Sequence, residues 1–268
     1  MKKVFDFSVY FAFTKTAFLN KMVYRFDYLI GMLNTCIQLF IACLIWKTLY
    51  GNNEVIDGIS FSMVVTTIII SQGLSNAYSI NDQLVSAKVR DGSIAYTLLM
   101  PISFRAQIFA ETLGEILFRI ISNFLPALII FSLAVDILPP KDLIAFLMFL
   151  CSITLGFMVL WMISSIVQYS SFWILSVWSL STIKNALIRV LSGAVIPLWF
   201  MPETIVKWVD YTPFSAIYFI PIRIYLGDIS IDESGAYFAQ QILWIIIMYV
   251  ISSIMWAKGK QQIVIQGG

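Results

Sequence analysis

Glu111, Glu115 and Arg119 follow one another at steps of four residues inside an apolar run, so a helix there projects all three from one face. A charge at mid-bilayer costs at least about 2.5–3.5 kcal/mol on insertion scales, so such a face looks toward protein or water. Two readings fit it. One is a local Glu115 to Arg119 ion pair near the inner membrane boundary. The other is a path-lining face that also meets Lys184 or Arg189, the two cations of a later apolar run. Much other chemistry is excluded by composition. The chain has no histidine, which removes His-based proton relays, Ser-His-Asp and Cys-His catalysis, and histidine-ligated metal sites within this chain. Cys36, Cys43 and Cys151 all lie in apolar runs, one thiolate short of an all-cysteine zinc site, and read as packing or lipid-facing residues. There is no G-x-x-x-x-G-K-S/T loop and no strand-borne G-x-G-x-x-G, so no phosphate cradle is recognisable and the chain is not expected to hydrolyse ATP by itself. Its basic residues flank apolar runs without forming a dense patch, which leaves nucleic-acid binding unsupported.

Those charges must be positioned by membrane helices. Of the 268 residues, 60% are hydrophobic and only 12% charged, with a mean hydropathy of +0.87. Soluble domains carry about 25% charged residues, so this chain holds too much apolar surface for one aqueous core. A helix crossing the bilayer needs about 20 mostly apolar residues. Six runs qualify: Leu29 to Tyr50, Ile59 to Tyr78, Ala106 to Val135, Leu143 to Val167, Phe172 to Phe200 and Tyr237 to Trp256. The fifth is ambiguous, because it contains Lys184, Asn185 and Arg189 and its inner end falls anywhere from Ser170 to Lys184. With both termini inside, ten lysines and arginines lie on the inner side against four on the outer, in line with the positive-inside rule. Pro126 is expected to kink the third run.

Three segments between the runs are informative. Residues Val4 to Asn20 mix Phe5, Val9, Phe11, Phe13, Ala17 and Phe18 with Asp6 and Lys15, the pattern of an amphipathic helix lying in the inner headgroup layer; an ordinary cytoplasmic tail is the alternative. The largest inner connection, Asn81 to Arg105, opens with Asn81 and Asp82 as helix caps, carries Lys88, Arg90 and Asp91, stops at Gly92 and meets Pro101 before the next helix. It reads as a short amphipathic helix and a turn, serving either to dock a cytoplasmic partner or to anchor the flanking spans. Ser192 to Asp228 is broken by Pro197, Pro202, Pro213 and Pro221 into apolar pieces too short to span. Such backbone is tolerated at membrane depth only under cover of protein or lining a water-filled cavity, which predicts a re-entrant helical hairpin on the outer side; an external helix on the headgroups is the alternative. Trp46, Tyr50, Trp199, Trp208, Tyr211 and Trp256 fall near run ends and read as interfacial belts.

The order of these features resembles the permeases of ABC-2 type ABC exporters, in their short six-span form. The resemblance covers the whole chain: a basic amphipathic N-terminal helix, six spans, GSIAYTLLMPIS after the second, then SGAVIPL, FMP, TPFSAIYFIP and YLGD on the outer side. It implies an all-α integral membrane fold in one permease domain, with an N-terminal interfacial part over residues 1–27, a coupling loop over 81–105 and an extracellular re-entrant region over 196–236. In that family the loop between spans two and three carries the helix that docks on the ATPase. Carried over by position, this points to Leu84, Lys88, Val89, Arg90, Asp91, Gly92 and Ser93. The re-entrant outer gate corresponds to the stretch with Gly193, Pro197, Pro202 and Pro213. Separate ATPase subunits would bind ATP and magnesium. This chain, without a cofactor of its own, would form the pathway with a second copy or a sister permease, spans one, two and five facing it. A multi-pass protein of a bacterial plasma membrane, with both termini cytoplasmic and membrane lipid around it, is expected. Lys184 and Arg189 set the substrate question: facing the pathway they favour an anionic cargo or lipid headgroup, at the inner boundary they only anchor topology. On residues alone two other classes stay open, an ion-coupled transporter or channel using buried carboxylates and a membrane enzyme acting on lipids.

Overall fold

The computed structural model describes residues 7–23, 25–174 and 176–262, with only the backbone given for Arg25. Val4, Phe5 and Asp6 of the expected N-terminal helix lie outside the described residues, as do Lys2 and Lys3. From Phe7 to Val23 the chain forms α1, which packs along the later helix over Phe104–Arg119 and leaves Phe7, Phe11, Leu19, Met22 and Val23 exposed. Thr14 donates to the Ala110 carbonyl at 3.0 Å, and the Tyr10 hydroxyl accepts the Ser103 N–H at 3.0 Å. Gly114 lets α1 lie this close, since a Cβ there would run into the Thr14 carbonyl.

After α1 come α2 (Arg25–Tyr50), a two-residue β-hairpin pairing Val55–Ile56 with Ile59–Ser60, and α3 (Phe61–Ala77). Two short helices follow, α4 (Leu84–Arg90) and α5 (Ser93–Leu99), then α6 (Phe104–Arg119) and α7 (Leu125–Ala134). Between α6 and α7 the helix widens into a π turn over Ile120–Phe124, where Leu125 N–H reaches back to the Ile120 carbonyl. The missing N–H of Pro126 makes that widening cheap, so the irregularity falls in the turn before the proline rather than after it. The rest is α8 (Leu143–Tyr169), α9 (Trp178–Leu191), α10 (Glu203–Asp210), α11 (Phe219–Leu226) and α12 (Ile231–Gly259).

Among the described residues, four helical stretches are long and apolar enough to cross a membrane: Phe26–Tyr50, Phe104–Ala134, Leu143–Phe172 and Ile231–Gly259. With 17 residues α3 sits at the lower limit of spanning length, and α9 with 14 falls below it. The fifth expected run is therefore not one continuous helix: the chain breaks after Phe172 and again at Ser192. The whole is mostly helical, as an α-helical multi-pass membrane protein requires.

At the centre α8 packs against α11 and α12. Gly156 lets the Ile217 carbonyl approach α8, and Gln241 of α12 ties the three together, donating to the Ser152 carbonyl at 3.0 Å and the Ala216 carbonyl at 2.8 Å while accepting from the Ser152 hydroxyl. Two of the long helices, α8 and α12, are capped at their starts. Asp142 accepts from Ala145 N–H at 2.6 Å, and Ser230 with Glu233 forms a reciprocal capping box at α12. Three aromatics expected in interfacial belts pack against other parts of the protein, Trp46 and Tyr50 buried and Trp256 partly buried. Trp46 packs on Phe200 at 4.7 Å between ring centres, Tyr50 is buried and donates to the Ile59 carbonyl, and Trp256 stacks on Phe104 at 5.0 Å. Trp208 and Tyr211 are exposed, as a belt requires.

Candidate functional site

Gly92 turns α4 into α5. Its φ of 74° lies in the left-handed region that side chains with a Cβ rarely adopt, so glycine is the residue suited to this corner. Val85 and Ser86 face inward and Leu84 and Val89 pack on the core, which leaves Arg90, Asp91 and Gly92 exposed at the tip. Lys88 and Ser93 are half-buried beside them, and Tyr96 and Leu99 of α5 stand exposed on the same connection. The Asp91 carboxylate accepts the Ser93 N–H at 2.9 Å, and hydrogen bonds from the Ser93 hydroxyl and backbone hold its carboxyl below the usual value of 3.8. The expected single helix and turn is thus a pair of short helices joined at Gly92.

The residue just before this unit departs most from expectation. Asp82 does not cap α4, whose first turn has no side-chain cap. It turns inward and is fully buried, where Oδ2 accepts from Lys184 Nζ at 2.6 Å and from the Ser181 hydroxyl at 2.5 Å. Lys184 donates onward to the Ser164 hydroxyl at 2.9 Å. Three elements meet in this knot: the segment leading into α4, the helix α9, and α8. The other carboxylate oxygen, Oδ1, is also buried and has no partner among the described residues, so the anion is held through one oxygen. Lys184 and Ile188 are the buried residues of α9, whose remaining surface carries exposed Trp178, Ile183, Leu187 and Val190.

The charges of α6 share one face, as their spacing demands. Arg119 pairs with Glu115 at 2.7 Å and also donates to the Ser79 carbonyl, Lys21 of α1 reaches Glu115 at 3.5 Å, and Glu111 accepts from Gln107 at 2.8 Å. The local pair is therefore present, and neither Lys184 nor Arg189 pairs with α6. Yet the face also lines open space. A cavity of about 720 Å³ is bounded by Lys21, Asp27, Glu111, Glu115 and Arg119. It adjoins a second of about 340 Å³ through their shared residues Gly31, Arg119 and Asn123. The second brings Arg119, Lys184 and Arg189 together with Asn34, Gln38 and Asn76. Gln38 accepts from Asn76 at 3.1 Å and donates to Asn34 at 3.2 Å, a polar ladder joining α2 to α3. A third cavity of about 620 Å³ shares Gln38 and Arg189 with the second and is otherwise mostly apolar, walled by Ile41, Ile45, Leu49, Val195 and Ile196.

The proline-broken segment is folded into the protein over most of its length. Gly193, at φ 75°, Pro197 and Pro213 are buried, Pro202 is exposed at the start of α10, and Ser215 to Ile220 are buried almost completely. Ser71 of α3 donates to the Ala194 carbonyl at 3.3 Å. Irregular backbone is thus covered by protein, which membrane depth requires. Arg223 of α11 is saturated by Asp228 at 2.6 Å and Asp210 at 4.0 Å, and burial raises the Asp210 carboxyl above its usual value while Arg223 opposes the rise.

Sequence reasoning missed Asp82 and the Asn34, Gln38 and Asn76 ladder. A lysine inside an apolar run calls for a carboxylate partner, and Asn34 with Gln38 stands four apart in the first run, so both signals were present. A family model described as "ABC-2 family transporter protein" matches residues 7–267. No curated protein matches the chain.

Proposed function

Because the chain belongs to the ABC-2 family of transporter proteins, a membrane subunit of an ABC transporter, we propose that it is the permease of an exporter driven by separate ATPase subunits. The observation that carries this reading is the buried Asp82–Lys184 pair. It ties the segment leading into α4, with its exposed tip at Arg90, Asp91 and Gly92, to α9, which lines the cavities. A push on α4 has a stiff route to the pathway wall, since a buried ion pair resists separation far more than an exposed one.

The ATPase docks on Leu84 to Ser93, with Lys88, Arg90 and Asp91 as polar contacts and Tyr96 and Leu99 as apolar ones. ATP and its magnesium bind in that partner, since this chain has no phosphate cradle. Six crossings, both termini cytoplasmic, take α3 and the broken α9 region as the two short spans. A second copy or a sister permease covers the exposed apolar faces of α2 and α9, so that spans one, two and five enclose the cavities. Residues around Gly193, Pro197, Pro202 and Pro213 form the outer gate. For the ion-coupled alternative Glu115 is unsuited, being already neutralised by Arg119 and Lys21, which leaves Glu111, hydrogen-bonded to Gln107, as its one carboxylate on α6.

Affinity purification of the tagged chain from mild detergent tests the docking. A soluble ATPase is expected to accompany the wild-type chain and to be lost with Arg90→Glu plus Asp91→Lys. An ATPase retained by that variant would move the docking site elsewhere, and none with the wild type would remove the exporter mechanism.

A further inference from the structure

Among the described residues, Arg189 is the one cation of the cavities left without an acid. Arg119 is paired with Glu115 and Lys184 with Asp82, whereas Arg189 is exposed and forms no salt bridge among the described residues. Neither cavity that it lines contains an acidic side chain. On one side of it stand the neutral hydrogen-bonding groups of Gln38, Asn34 and Asn76; on the other the wall turns apolar at Ile41, Ile45 and Leu49. Gln72, which also lines the apolar part, keeps a buried side-chain oxygen with no partner among the described residues.

A guanidinium on a partly apolar cavity without a counter-charge calls for an anion, and its fork of donors matches a carboxylate or phosphate. The apolar cavity of about 620 Å³ falls in the range that holds small molecules. We infer that these joined cavities bind an amphipathic anion, its acidic head on Arg189 and its chain along Ile41, Ile45 and Leu49. This rests on the permease reading and names the class of its cargo. The arrangement discriminates on both ends of the ligand: a neutral head gains nothing from Arg189, and a head without a chain leaves the apolar wall bare.

Binding to the purified full-length chain in a neutral detergent tests it. The probes are lysophosphatidylglycerol, lysophosphatidylcholine with the same chain, and glycerol 3-phosphate. Lysophosphatidylglycerol is expected to bind at least ten-fold more tightly than either other probe. Arg189→Gln should erase its advantage over lysophosphatidylcholine, Arg189→Lys should keep most of it, and Ile45→Asn should weaken both lysolipids. Equal affinities for the two lysolipids, or an advantage that survives Arg189→Gln, would overturn the inference. Displacement of the bound probe by two-chain phosphatidylglycerol identifies a bilayer lipid as the natural occupant; resistance to it identifies a single-chain amphipath, and either upholds the anion site. ATPase co-purification with Arg189→Gln reads the permease assignment separately, so loss of one conclusion leaves the other standing.

Discussion

On α9, Lys184 is 6% exposed and held by Asp82 at 2.6 Å, while Arg189, five residues on, is exposed and faces cavities whose walls carry no acid. Both cations interrupt the same apolar run, and an insertion scale treats them alike. What separates them is the surface each one meets. Lys184 turns toward α8 and the start of α4, where its charge is spent on joining elements. Arg189 turns toward α2 and open space, where its charge is left for something outside the chain. Within one apolar run, then, the surface that a charged residue meets decides whether it fastens the fold or stays open to a ligand.

Breaking the buried side of this contrast gives the largest effect. Lys184→Met leaves Asp82 a buried carboxylate without a counter-charge, and should cost about 3–5 kcal/mol in denaturant unfolding from detergent. Adding Asp82→Leu removes the orphaned charge and should return most of that loss; a double variant as unstable as the single one would show that the pair does not carry the stability. Ser164→Ala deletes one acceptor of the ammonium and should cost about 1.5–3 kcal/mol in the same measurement. Arg189→Gln should stay within about 0.5 kcal/mol of wild type, as an exposed site does. A larger loss would mean that Arg189 also holds the fold.

The smallest effect concerns the docking tip. The Asp91 carboxyl lies below its ordinary value because the folded turn stabilises the charged form, so its contribution is complete above 3.8 and fades as pH falls through the lower folded-state value. The difference in melting temperature between wild type and Asp91→Ala should therefore be constant near neutrality and shrink on acidification below about pH 4, the usual carboxylate range. A difference that grows in acid would contradict the capping role.

Much of this architecture can be read from the chain. Long apolar runs announce α2, α8 and α12, and Gly92 announces the corner between α4 and α5, because length and backbone conformation are local properties. Steps of four likewise place Glu111, Glu115 and Arg119 on one face. Asp82 is the instructive failure. Its position ahead of a helix suits a cap, and its actual partner lies 102 residues away, beyond any local rule. Trp46 and Tyr50 fail for the same reason: nearness to a run end suggests an interface, but packing on Phe200 and a bond to the Ile59 carbonyl bury them. The proline-broken segment was legible as irregular; which helices cover it was not, since Gly156 and Gln241 meet it from far along the chain.

The proposed tie between a docking segment at α4 and a pathway wall at α9 can be tested without knowing the cargo. In a chain with Cys36, Cys43 and Cys151 replaced, a single cysteine at Asn185 of α9, exposed and lining the second cavity, reports on the wall through its labelling rate with a membrane-impermeant maleimide. With the ATPase bound, ATP should change that rate in the otherwise native background, and the combined Asp82→Leu and Lys184→Met variant should keep the ATPase while losing the change. If that variant still responds to ATP as the native background does, the Asp82–Lys184 pair is not the link between docking and transport.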